Sequence, residues 1–217
     1  MKFRLFIASF ACVFSLMWGV HGQEWLRPEI DAFAYDDSLN GVTHGGILFL
    51  GSSSIRMWDG LEGYFPGYPV VKRGFGGSSL RDAIYYYDIL VRPHNPKQMI
   101  VYFGDNDLSN DYYDVDMYMR DVGCFVRMTE IIFPRAQICF ISTKPSPSRR
   151  KYFPKIKEAN RRLAEFCSLA PHLSFIDVWS EMADERDMLR DNSTFVSDSL
   201  HLSPAGYRLW RDAIVPF

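Results

Sequence analysis

The sequence predicts a three-layer α/β/α sandwich around a parallel sheet of about five strands. Two observations carry this prediction. Short, continuously apolar runs recur along the chain, as strands covered on both faces require. Between them lie segments whose apolar residues repeat at helical spacing, and strands that alternate with helices are the pattern of βαβ units.

The apolar runs are residues 46–51 (GILFLG), 68–74 (YPVVKRG), 99–104 (MIVYFG), 136–143 (AQICFIST) and 173–179 (LSFIDVW). Leu80, Ala83, Ile84, Tyr87 and Val91 mark the first helical pattern. It opens on SLRD at residues 79–82, where an acid three positions after a serine suits a capping box. Val115, Tyr118, Val122, Phe125, Val126 and Thr129 mark a second helix that ends before Pro134. Ile156, Ala159, Leu163, Phe166, Cys167 and Ala170 mark a third. The last helix starts at Ser203-Pro204, an N-cap followed by proline at the first helical position.

A chain of 217 residues with 47% hydrophobic residues suits one domain with a sizeable core. Its net charge of −2 and scattered basic residues point away from a nucleic-acid or anionic-membrane partner. The first residues read differently. Lys2 and Arg4 precede an apolar run over residues 5–20, and Val20 and Gly22 offer a small-residue cleavage site. This is the order of a secretory signal, and the run is short for the roughly 20 residues of a membrane span. The expected organisation is a signal peptide over residues 1–22 and a single exported domain, periplasmic or secreted, over 23–217, with no membrane span after cleavage; an uncleaved N-terminal anchor is the alternative. Beyond the signal remain Cys124, Cys139 and Cys167, an odd number without a C-x-x-C pair, read as three buried apolar thiols.

In an open parallel sheet, ligands bind beyond the carboxyl ends of the strands. There the sequence sets Gly51-Ser52-Ser53-Ser54, then RGFGGSS at residues 73–79, GDND at 104–107 and DSLH at 198–201. Acyl transfer needs a hydroxyl nucleophile, a base, an acid that orients the base, and donors for an oxyanion. A serine at the strand-to-helix turn can be the nucleophile, and His201 the base, since imidazole titrates near neutral pH. On a tight turn the Asp198 carboxylate can reach the other ring nitrogen and fix the tautomer. Gly77 lets backbone approach a substrate closely, and Asn106 offers an uncharged amide donor. Each piece alone has a plainer reading as helix cap, turn or surface residue. Their joint occurrence, each after a strand, favours chemistry.

These blocks resemble the SGNH hydrolase superfamily, the GDSL esterases and lipases. That family carries a serine in block one, a glycine in block two, an asparagine in block three and D-x-x-H in block five, matched here by Ser53, Gly77, Asn106, and Asp198 with His201. Its block-one aspartate is replaced by Ser52, and the asparagine common in block two by Lys72. The resemblance spans nearly all of the chain beyond the signal. It implies a flavodoxin-like sandwich and hydrolysis of a carbohydrate or small-molecule ester, often an acetyl ester, with no metal or organic cofactor. It also implies a catalytic Ser53–His201–Asp198 set and an oxyanion hole formed by the Ser53 N–H, the Gly77 N–H and the Asn106 amide. Arg73 and Ser52 are further candidates for substrate contact, and the tyrosines at 85–87 and 112–113 for a sugar-binding cleft. Lysophospholipase or thioesterase chemistry, or a glycan-binding module that keeps the fold without catalysis, are the alternatives. An α/β-hydrolase would show G-x-S-x-G, but position 55 is Ile. A phosphate-binding G-x-x-x-x-G-K-[ST] loop and a zinc-binding H-E-x-x-H are missing.

Overall fold

Every apolar run contributes a strand to one sheet, and the strands share one direction. A computed structural model describes residues 24–217, so the expected leader lies outside the described residues. The strands are β1 (Ile47–Gly51), β2 (Val70–Gly74), β3 (Gln98–Tyr102), β4 (Gln137–Ile141) and β5 (Leu173–Ile176). They pair in parallel in the order β2-β1-β3-β4-β5. The chain runs outward from β1 to β2 and then crosses back to β3. Strand order therefore reverses between β1 and β3, which opens a crevice at their carboxyl ends.

Alternate side chains leave opposite faces of a strand, and both faces are buried here. Leu48, Leu50, Met99, Val101, Ile138 and Phe140 enter one apolar layer. Phe49, Ile100, Tyr102, Cys139 and Ile141 enter the other. The first layer is covered by α1 (Arg27–Asn40), α4 (Leu80–Tyr85), α5 (Tyr87–Leu90), α7 (Val115–Ile132) and α8 (Phe153–Cys167). The second is covered by α2 (Ser53–Arg56), α3 (Leu61–Tyr64), α9 (Val178–Met182) and α10 (Pro204–Ile214). A single turn, α6 (Asp105–Leu108), follows β3.

Local signals explain where several helices start. Ser79 and Asp82 form the expected capping box on α4, with Ser79 N–H donating to Asp82 Oδ2 at 2.8 Å. The Ser203 hydroxyl accepts from Ala205 N–H at 3.1 Å and Gly206 N–H at 3.3 Å, and Pro204 fills the first position of α10. An aromatic clamp then joins the two ends of the chain that matter most. Buried Trp58 stacks on Tyr207 with centroids 5.0 Å apart and meets Trp210 edge-on at 6.1 Å. The Tyr207 hydroxyl donates to Ser54 O at 2.9 Å, tying α10 to α2.

Four expectations need correction. The Leu80–Val91 pattern forms two short helices, broken at Tyr86, whose φ of −95° and ψ of 18° leave the helical region. The run at residues 173–179 stays extended only to Ile176, because the Asp177 side chain caps α9 by accepting from Ser180 N–H. Helix α8 stops at Cys167, so Ala170 lies beyond it. Cys139 and Cys167 are buried but Cys124 is exposed, and no disulfide joins any two of the three. Helix α1 had no counterpart in the pattern of apolar residues, because Ile30 is its one buried residue.

Candidate active site

The turn after β1 is built for close approach. A Cβ on Gly51 would stand 2.5 Å from Ile55 Cγ1 and 2.6 Å from Tyr102 O, so only glycine fits. Ser52 remains extended and buried, and Ser53 opens α2 with its side chain partly exposed. The first N–H groups of a helix have no intrahelical partner, which leaves the Ser53 N–H as a donor at the crevice.

The loop before α10 carries the partner of this hydroxyl. Asp198 Oδ1 accepts N–H groups from Leu200 and His201, each at 2.9 Å, in a turn that sends Ser199 to a φ of +58°. Oδ2 is thereby aimed at His201 Nδ1, 2.6 Å away. The opposite ring nitrogen, Nε2, lies 3.0 Å from Ser53 Oγ. The backbone N–H of His201, the ring of His201 and the N–H of Leu200 together hold the Asp198 carboxyl at about 2. Because this lies below the ordinary value of about 4, the fold favours the carboxylate. That contribution is complete above about pH 4 and is lost as pH falls through about 2. At neutral pH a carboxylate therefore faces Nδ1, and in the neutral ring it favours the tautomer with the proton on Nδ1 and the Nε2 lone pair toward Ser53.

Two further predicted residues lie in the segments that follow β2 and β3, the strands on either side of β1. Gly77 has a φ of +69°, where a side chain is strained, and it is exposed after β2. Asn106 sits in α6, and its Nδ2 donates to Ser78 O at 2.8 Å. That bond uses one of two amide hydrogens, so the other remains for a ligand. If its amide donates to an oxyanion, Asn106→Ala is expected to lower kcat by about 10²–10³. Steady-state hydrolysis of p-nitrophenyl acetate measures this, and a loss below about threefold removes the residue from that role.

A buried frame holds these blocks together. Asp107 accepts Leu80 N–H at 3.0 Å and Gly104 N–H at 3.0 Å, fixing α4 to the block that carries Asn106. Burial pushes its carboxyl up to about 7, against the pull of those donors. Lys144, fully buried, pairs with Asp105, and its Nζ also donates to Tyr102 Oη at 3.1 Å. Desolvation lowers this ammonium and Asp105 opposes the shift, with Asp198 adding a smaller pull the same way. Ser148 N–H then donates to Ser199 O at 3.1 Å, linking this segment to the Asp198–His201 turn. A buried lysine looks like a surface residue in sequence, and only its distant partner Asp105 explains it.

Other candidates lie elsewhere. Arg73 is buried, pairs with Asp37 and covers the Phe33 ring, so its charge is spent inside the α1 face rather than on a ligand. Lys72 donates to Trp58 O at 3.2 Å, bracing the end of the α2 turn. Tyr87 is core, packed on Phe125, while Tyr85 and Tyr112 are exposed.

A family model described as the GDSL-like lipase/acylhydrolase family matches residues 42–209. The chain belongs to this family. That match takes in all five strands and every predicted site residue. As a GDSL-like acylhydrolase it is a carboxylic ester hydrolase. Solved structures share its fold. A Streptococcus pneumonia protein provisionally designated a platelet activating factor superposes with a TM-score of 0.76 at 22% identity, covering 88% of this chain and 94% of that one. A GDSL-like lipase from Bacteroides thetaiotaomicron gives 0.68 at 17% identity, with coverage of 90% and 96%. An acetyl-xylooligosaccharide esterase from Geobacillus Stearmophilus, in mutant form, gives 0.60 at 17% identity, with coverage of 80% and 94%. No curated protein matches the acylhydrolase's sequence.

Proposed function

We propose that this acylhydrolase cleaves short-chain acyl esters, acetyl esters of carbohydrates foremost, through an acyl-enzyme on Ser53. The observation that carries this reading is the chain of contacts from Asp198 through His201 to Ser53 Oγ. Ser53 Oγ attacks the ester carbonyl carbon as His201 Nε2 takes its proton. Asp198 stabilises the imidazolium formed. The carbonyl oxygen becomes an oxyanion held by the Ser53 and Gly77 N–H groups and the Asn106 amide. Collapse breaks the bond to the alcohol oxygen, which leaves with the proton from His201. Water then enters, gives a proton to His201 and attacks the acyl carbon. Its collapse releases the acid and returns the proton to Ser53.

The acetyl preference is supported by the resemblance of this fold to that of an acetyl-xylooligosaccharide esterase. A panel of acetylated xylooligosaccharides, lysophospholipids and acyl thioesters tests it. Turnover is expected to be greatest on the acetylated sugars, with release of acetate. Preference for a lysophospholipid or thioester contradicts it.

We also propose that residues 1–22 direct export, on the order of charge, apolar run and small residues described above. Among the described residues, no helix is long and apolar enough to cross a membrane. Amino-terminal sequencing of the protein released by producing cells is expected to start at Gln23, and a start at Met1 contradicts export with cleavage.

A further inference from the structure

One large aromatic side chain stands beside this crevice without a place in the core. Trp25 lies in a 3-10 turn (Glu24–Leu26) that leads into α1, and it is 59% exposed. Its neighbours Leu26 and Ile30 are fully buried in the layer under α4 and α5. The backbone of the turn is thus anchored while the indole is left to solvent. The ring leans on Gly77: a Cβ built there would stand 2.9 Å from Trp25 Cη2 and 3.7 Å from Cζ2 and Cζ3. Glu29, one turn further on, fastens this corner to both halves of the crevice. Its Oε2 accepts Gly76 N–H at 3.1 Å, and its Oε1 faces Arg56 Nη1 of α2 at 3.4 Å.

The two sides of Ser53 therefore differ. His201 arrives from the layer of Leu202, Tyr207 and Trp210, whereas Trp25 stands on the opposite layer, that of Leu26 and Ile30. The leaving alcohol must lie against His201 Nε2 to receive its proton. With the oxyanion at Gly77 and Asn106, the remaining substituent of the tetrahedral carbon is the acyl chain. It is directed away from His201, toward the α1 side. From this placement, and resting on the reading of Ser53 and His201 as the catalytic pair, we infer that Trp25 is the wall of the acyl side of the crevice and sets the acyl-chain length. An indole face is apolar and rigid, so it covers a methyl group well and obstructs a long chain.

The test compares p-nitrophenyl acetate with p-nitrophenyl octanoate for the wild-type chain, Trp25→Ala and Trp25→Leu. The readout is the ratio of kcat/KM for octanoate to that for acetate. Removing the ring is expected to raise this ratio by about tenfold or more, the scale on which a pocket discriminates added methylenes. Trp25→Leu keeps apolar surface but clears the ring, and the same direction of change is expected. An active enzyme whose ratio is unchanged in both variants, whatever the absolute rates, overturns the wall. A wild-type chain that hydrolyses neither ester overturns the catalytic reading beneath it, and the wall with it.

Discussion

Ser53→Ala is expected to lower kcat for p-nitrophenyl acetate by about 10⁴–10⁶, leaving only what binding and the oxyanion donors contribute. The size follows from the chemistry. Ser53 Oγ is the only atom of this site that would bond to the acyl carbon, and its removal closes the covalent route altogether. The fold is expected to survive, because the Ser53 side chain is partly exposed and the turn is held by its backbone. Ile55 and Arg56 N–H both donate to Ser52 O, at 3.0 and 3.1 Å. An unchanged melting curve with lost turnover is the expected pair of results. Turnover within about tenfold of wild type, on a scale where nucleophile loss costs far more, would move the nucleophile elsewhere.

Asp198→Asn is expected to lower kcat by about 10⁴ while leaving substrate binding largely intact. An asparagine Oδ1 can still accept the Leu200 and His201 N–H groups, so the turn persists. Its Nδ2 then faces His201 Nδ1 where a carboxylate oxygen stood. A donor there draws the ring into the other tautomer, with Nδ1 as acceptor and the hydrogen on Nε2. That hydrogen points at Ser53 Oγ, and the ring can no longer accept the serine proton. Rate measurements at saturating ester, with KM fitted separately, read this out. A loss of less than about tenfold would reduce Asp198 to a structural member of its turn.

How much of this was legible beforehand follows from the physics of each part. The three central strands β1, β3 and β4 were visible because both faces of each are buried, which forces continuous apolar runs such as Leu48-Phe49-Leu50. The starts of α4 and α10 were visible because Ser79 and Ser203 act locally, on N–H groups two or three residues away. Ser53, Gly77, Asn106 and Asp198 with His201 could be picked out because each follows a strand and a parallel sheet gathers such ends on one edge. What the sequence concealed depends on partners far along the chain. Helix α1 buries Ile30 alone and carries no apolar stripe to detect. Lys144 makes sense only beside Asp105, and Arg73 only beside Asp37. Trp25 has no periodic neighbours, and its position against Gly77 exists only once α1 has folded back over β2.

These observations converge on one assertion, that Ser53 is made nucleophilic by the ring of His201. Covalent capture measures it most directly. The chain is treated with a fluorophosphonate, digested, and its peptides mapped by mass. A single stoichiometric phosphonyl adduct on Ser53 is expected, formed far more slowly when His201 is changed to alanine. An adduct at another residue, or continued ester turnover by protein that takes up no label, would contradict it.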